Sequence, residues 1–303
     1  MRLSFALVLV LPALAFAQPT AAQKKGTVKW VLAQEAPAGG FYLAPQDPNI
    51  DAAPRATLRA TNGAVRALKY LGADIPNKDK HAAFVLACYD PKTGGFAEPG
   101  GKPDVVVTSI GVMVAVELNV PKEKFAKAMN YLQENAKTFE EVRIAAAAVE
   151  AWGVKDCPFD LKPWFKVGAE PLKKEIDDAR DGGARELGSA AALLLRLGVG
   201  IAPPGVDPKE HLEQLRKGQK DDGGWGKKGE KASDMETTYR VMRALMLLKE
   251  KPKDAKKLRE FIEAHRNKDG GYATRPGEKS SVAGVYYCTV VTKWLNEMEA
   301  AKK

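Results

Sequence analysis

Histidine and cysteine are both scarce, at three residues each in a chain of 303. Cys88, Cys157 and Cys288 stand far apart without a Cys-x-x-Cys spacing, which excludes a disulfide framework. Their odd count leaves at least one thiol free, and they read as small buried hydrophobes. His81, His211 and His265 are equally isolated. None has a second His or Cys at ligand spacing on one helix face, so no metal is expected, zinc included. Aromatic residues make up 8%, and none is interleaved with basic residues as a binder of single-stranded nucleic acid needs. Beyond residue 17 no apolar run is long enough to span a bilayer.

Positive charge is in excess, 47 Lys and Arg against 38 Asp and Glu, a formal +9. The lysines fall in stretches such as 122–127, 249–257 and 302–303, mixed with acidic residues, which is the pattern of a solvated helical exterior. The chain opens Met1-Arg2, runs apolar from Leu3 to Phe16 and reaches Ala15-Phe16-Ala17 before Gln18, the layout of a cleaved export signal. Residues 1–17 are therefore expected to be a signal peptide and the protein to be secreted or periplasmic. Residues 18–303 are near the upper size for one core and are expected to form a single domain.

Internal repetition decides the architecture. A Gly-Gly-aromatic turn recurs at Gly39-Gly40-Phe41, Gly94-Gly95-Phe96, Gly223-Gly224-Trp225 and Gly270-Gly271-Tyr272, with room for two degenerate copies between the second and third. Six helices apolar over most of their circumference are expected at 54–71, 103–118, 139–152, 184–197, 232–248 and 280–295. Six amphipathic ones alternate with them, at 26–35, 77–89, 122–136, 161–176, 208–217 and 252–266. Phe125, Met129 and Leu132, and again Leu258, Phe261 and Ile262, mark their buried stripes. The apolar set can bury itself only as an inner ring enclosed by the amphipathic set, and closing the array removes exposed terminal repeats. Pro54, Pro103, Pro121, Pro208 and Pro252 are expected at helix starts, where a missing donor costs nothing.

Lys220-Asp221-Asp222-Gly223-Gly224-Trp225-Gly226, followed by Gly229 and by Ser233 to Tyr239, resembles the repeat of prenyltransferase β subunits and squalene cyclases. Asn267 to Tyr272 with Arg275-Pro276-Gly277 is similar to the last repeat of the protein prenyltransferases. The resemblance implies an all-α (α/α)6 toroid with a funnel-shaped cavity at the Gly-Gly end, and a transferase or cyclase activity. It also leaves room for a second chain over the barrel.

The residues that carry those activities are missing. The prenyltransferases hold zinc with an Asp-x-Cys pair and a His early in the last inner helix; this sequence has no Asp-x-Cys and carries Gly284 at the matching place. The cyclases protonate an alkene with the middle aspartate of Asp-x-Asp-Asp; Glu175-Ile176-Asp177-Asp178 departs from that run and reads as a capping turn. The thioester run of the complement-type branch is absent. Aromatic candidates for the inner helices are Trp152, Tyr239, Tyr286, Tyr287 and Trp294.

What remains for function is polar residues at the inner-helix starts. Asp104, Asp234 and Glu236 are the candidate acids or bases, and Arg59, Thr108, Arg185, Thr238, Tyr239, Arg243, Tyr286 and Tyr287 the candidate ligand contacts. Capping and inter-repeat hydrogen bonds account for the same aspartates and threonines. The expectation is a toroid that binds a small molecule or a protein at its Gly-Gly end. The alternative is a divergent enzyme, for prenyl transfer, terpenoid cyclisation or polysaccharide cleavage, using Asp104 with Asp234 or Glu236.

Overall fold

The computed structural model describes residues 18–45, 55–174, 178–201 and 207–300. The expected signal segment and the run Glu175-Ile176-Asp177 lie outside the described residues. Among the described residues there are twelve α-helices and no strand, with isolated β-bridges at the turns. One set comprises α1 (Ala21–Leu32), α3 (Lys78–Ala87), α5 (Lys127–Asn135), α7 (Lys162–Ala169), α9 (Pro208–Lys217) and α11 (Ala255–Glu263). It alternates with α2 (Leu58–Leu71), α4 (Val105–Glu117), α6 (Phe139–Trp152), α8 (Ala184–Arg196), α10 (Met235–Leu247) and α12 (Val282–Ala300). Each even-numbered helix packs on the next, and α12 packs back on α2, so the inner ring is closed. The odd-numbered helices lie outside it, α7 against α6 and α8, α9 against α8 and α10, α1 against α12 and α2. The architecture is the (α/α)6 toroid that the alternation implies.

Burial follows the pattern that the sequence carries. Inner α4 is buried from Val107 through Ala115, whereas outer α11 buries only Leu258, Phe261 and Ile262. Phe125, Met129 and Leu132 are fully buried beneath α4. Each such side chain stabilises by about 1.5–3 kcal/mol through removal from water.

The Gly-Gly turns tie one repeat to the next, and their two glycines serve different needs. The first takes positive φ, 96° at Gly39, 81° at Gly94, 95° at Gly223 and 91° at Gly270. It also lies so close to the backbone of a neighbouring outer helix that a Cβ would collide with Lys80, Lys127, Lys257 and Gly26 respectively. The last turn thus docks on α1, joining the end of the chain to its beginning. Thr27 donates to the Gly270 carbonyl at 2.8 Å and the Trp30 indole to Asp269 at 3.0 Å. The second glycine leaves room for the next segment: a Cβ at Gly95 would sit 2.5 Å from that of Pro103, and one at Gly224 2.7 Å from that of Ser233.

The degenerate turns use other chemistry. A capping box between Thr138 and Glu141 starts α6, and Gly182, at φ 92°, turns the chain into α8. Several boundaries differ from expectation for local reasons. α1 begins at Ala21 because Thr20 and Gln23 form a capping box. α7 ends at Ala169, just before Pro171, and a short 3-10 turn follows. Of the prolines expected at helix starts, Pro208 occupies the first turn of α9, while Pro103 and Pro252 precede the caps Asp104 and Asp254. Pro121 precedes a 3-10 turn, and Pro54 lies outside the described residues.

The histidines belong to this scaffold and are buried rather than on the surface. His81 is fully buried and accepts the Gly40 N–H on Nδ1 at 3.0 Å, stacked on Phe41. His211 and His265 meet the carbonyls of Leu172 and Phe261.

Candidate functional site

The inner ring encloses a cavity of about 530 Å³ lined largely by the N-terminal halves of its helices, the end at which the Gly-Gly turns enter. Arg59, Glu140, Glu236 and Ala283, all in first turns, line its mouth. Arg66 lines it two turns further along α2, about 10 Å deeper at 1.5 Å per residue.

The wall divides by chemistry. Val106, Ile110 and Met113 of α4 and Ile144 and Ala147 of α6 make an apolar sector, opposite Tyr239 of α10 and Tyr286 and Tyr287 of α12. Near the mouth each carboxylate is paired. Glu140 accepts from Arg143 at 3.0 Å and from Arg240 at 2.9 Å, and Glu236 accepts from Arg240 at 2.8 Å with Lys227 3.6 Å away. Burial opposes ionisation of both carboxylates, but the adjacent guanidinium groups outweigh it and hold them below the usual range. Both are ionised anions at neutral pH.

The floor is not balanced. Arg66 donates to the Tyr70 hydroxyl at 3.0 Å and to the Met113 sulfur at 3.5 Å, lies 5.8 Å from the Tyr286 ring centroid, and among the described residues has no carboxylate partner. Its Nε is buried with no acceptor. Arg196 is 8% exposed, and its ion-pair partner is Glu150 at 3.3 Å. That carboxylate is shared with Arg243, which binds it at 2.6 Å and lies over Trp294. Arg196 and Arg243 thus share one carboxylate, and Arg66 pairs with none among the described residues.

Among them sits Tyr239, whose hydroxyl accepts from that of Tyr286 at 3.2 Å. Burial pushes its ionisation up, but Arg196, Arg243 and Arg66 together pull it down to about 7. Burial raises Tyr286 beside it.

The structure brings five of the sequence candidates to this cavity: Arg59, Glu236, Tyr239, Tyr286 and Tyr287. The others lie elsewhere. Asp104 caps α4 by accepting the Val107 N–H at 2.7 Å, and buried Asp234 caps α10 by accepting the Thr237 N–H at 2.9 Å. Thr108 and Thr238 accept the backbone N–H of Phe96 and Trp225 at 2.9 and 3.0 Å. Arg243 lies below the floor; Arg185 stands where its charge helps keep Glu236 ionised. Trp152 faces outward onto Phe125, and Trp294 stacks on Tyr239.

Sequence reasoning missed Arg66, Arg143, Arg196 and Arg240. A signal existed: each is a cation in a helix otherwise suited to full burial, and Arg66 follows Arg59 by seven residues, two turns along one face. Among the described residues, no group of three or more His, Cys, Asp or Glu side chains is arranged to hold a metal ion. No helix among them is long and apolar enough to cross a membrane.

The sequence matches the family described as "Prenyltransferase alpha-alpha toroid domain" over residues 2–153 and 181–302. No curated protein matches it. Among solved structures, the crystal structure of a protein from Actinoplanes is similar in fold, with a TM-score of 0.57 and 12% identity, over 92% of this chain and 99% of that one.

Proposed function

Since the chain belongs to the prenyltransferase alpha-alpha toroid family, we propose that it is an exported toroid that takes a small anionic organic ligand into its central cavity. One observation carries this reading: Arg66, on the cavity wall, has phenol, thioether and ring faces for neighbours and, among the described residues, no carboxylate partner. Arg66 is half-buried with its Nε fully so, and a guanidinium partly withdrawn from water without a counter-ion is costly. An anion entering from the mouth supplies the missing partner. The apolar sector of α4 and α6 suits the body of such a ligand. Export rests on the layout of residues 1–17.

Binding is favoured over the family's acid catalysis because Glu236, the candidate acid on the wall, is tied to Arg240 and ionised. Asp104 and Asp234, the other carboxylates considered, are engaged as helix caps.

The test is a thermal-shift series with benzoate, phenyl phosphate and pyrophosphate, with neutral benzamide as the control. Wild type is compared with Ala283→Trp, which blocks the mouth. A ligand at 100 times its Kd adds about 2.7 kcal/mol of stability, a rise of roughly 4–5 °C for a domain of this size. Stabilisation by an anion, absent with benzamide and lost in Ala283→Trp, is expected. The absence of any anion response sinks the reading.

A further inference from the structure

The groups around Tyr239 can be counted by helix. α2 contributes Arg66 and the Tyr70 phenol, α6 Glu150, and α8 Arg196. α12 contributes the Tyr286 and Tyr287 phenols, and α10 itself Arg243. Nearer the mouth, Glu236 pairs with Arg240, and Glu140 with Arg143 and Arg240, while Lys227, Arg185 and Arg59 add further positive charge there. With every phenol protonated, the described groups around Tyr239 therefore carry three positive charges and one negative. The excess is local, because Glu150 is already shared by Arg196 and Arg243 and neither mouth carboxylate bonds to Arg66.

We propose that the floor bounded by Arg66, Arg196 and Tyr239 receives the oxyanion head of the ligand, a carboxylate or phosphate, and that Tyr239 supplies the negative charge there when the head is absent and takes a proton from solvent when it arrives. This rests on the reading of the cavity as a ligand site. The exchange balances: one O–H bond forms on the phenolate oxygen, the proton comes from water or buffer, and the charge that the phenolate loses is replaced by the anion's. No bond of the ligand changes.

The chemistry fits each partner. A guanidinium presents a planar fork of donors matched to an oxyanion. Arg66 spends two of its nitrogens on weak or neutral acceptors, and Arg196 makes a single contact. Once protonated, the Tyr239 hydroxyl becomes a donor and can bond the same head. The head-down placement leaves the ligand body along Ile110, Met113 and Ala147. The lowered ionisation of Tyr239 is what three cations and one carboxylate produce at a wall-lining phenol.

The experiment follows phenolate absorbance by ultraviolet difference spectroscopy from about pH 6 to about pH 8, a range in which ordinary tyrosines stay protonated. It compares wild type with Tyr239→Phe, with and without saturating benzoate, phenyl phosphate or inorganic phosphate. Wild type is expected to show one phenolate that Tyr239→Phe lacks. An anion that stabilises the protein should remove that signal, with uptake of up to one proton per ligand in calorimetry. The anion that does so distinguishes a carboxylate from a phosphate head. Arg66→Gln should weaken binding of that anion about tenfold or more, and Arg66→Lys, which keeps the charge, by less.

Three results overturn the proposal. If wild type has no phenolate in this range, Tyr239 is not the resident anion. If an anion binds in a manner blocked by Ala283→Trp and leaves the phenolate unchanged, the floor is not its site, while the cavity reading survives. If no anion binds at all, both readings fail.

Discussion

The Thr238 hydroxyl accepts the backbone N–H of Trp225, thirteen residues earlier in the chain, at 3.0 Å. The same link joins Thr108 to Phe96 at 2.9 Å and Thr61 to Phe41 at 3.0 Å. It fastens α2, α4 and α10 each to the turn that precedes it, over a buried aromatic ring. The fourth turn lacks it, because Val285 stands at the corresponding distance after Tyr272; it keeps only the bond from the Ser281 N–H to the Tyr272 carbonyl at 2.9 Å, the counterpart of Asp234 N–H to the Trp225 carbonyl at 3.0 Å. Thr238→Val keeps the shape and leaves the buried Trp225 N–H unpaired. Urea unfolding should report a loss of about 1–3 kcal/mol, and a loss under about 0.3 kcal/mol would show that the link is incidental.

Gly223 and Gly229 both have positive φ, 95° and 76°, yet their surroundings differ. A Cβ at Gly223 would press on the Lys257 carbonyl of α11, whereas nothing lies within 4 Å of one at Gly229. Gly229→Ala should cost about 1–2 kcal/mol for backbone strain alone. Gly223→Ala should cost a further 1–3 kcal/mol, roughly, from the collision. Equal costs, measured by denaturant midpoints, would mean that the turn does not clamp α11.

Glu150 is the carboxylate that Arg196 and Arg243 share, and its side chain is 32% exposed against 6% and 10% for theirs. Glu150→Gln leaves both guanidinium groups without an anionic partner. Because Glu150 is partly wet, the loss of stability should be about 1–3 kcal/mol, below that of a fully buried pair. The same change adds positive charge to the floor, so affinity for an anionic ligand should rise. Unchanged or weaker affinity in calorimetry would argue that the floor field does not govern binding.

Burial and the bond from Gly40 keep His81 neutral, lowering its protonation below the ordinary 6.5; His265 is lowered likewise by its burial. The unfolded chain therefore binds more protons than the fold as pH falls through about 6.5. The stability that these neutral rings permit is retained above that value and lost below it, at up to roughly 1.4 kcal/mol per pH unit for each histidine. His81→Gln keeps an acceptor for Gly40 and should flatten this decline between about pH 6.5 and pH 5. A parallel decline in the two proteins would remove His81 from the account.

The two rings were legible because their helices differ in kind: α4 carries no charge from Val105 to Val116, while α11 packs Lys, Arg and Glu around a three-residue stripe. The recurring Gly-Gly turns announced the period. What the sequence did not carry was direction around each helix. Asp234 and Glu236 are two residues apart, yet one is buried as a cap and the other lines the cavity. Arg66 was passed over because a cation in an apolar helix is as compatible with a salt bridge to a neighbouring ring member as with a cavity wall. Arg196, the last residue of α8, lines the cavity from the far end of its helix, consistent with side chains leaning back toward the N-terminus.

The claim that the cavity floor receives an anion is tested most directly by soaking crystals in sodium selenate and locating selenium by its anomalous scattering. The account predicts a peak within about 4–5 Å of the Arg66 and Arg196 guanidinium groups, at charge-assisted hydrogen-bond reach for an oxyanion, and its absence in Arg66→Gln. Selenium found only along the lysine-rich outer helices, with the floor empty in wild type, would contradict it.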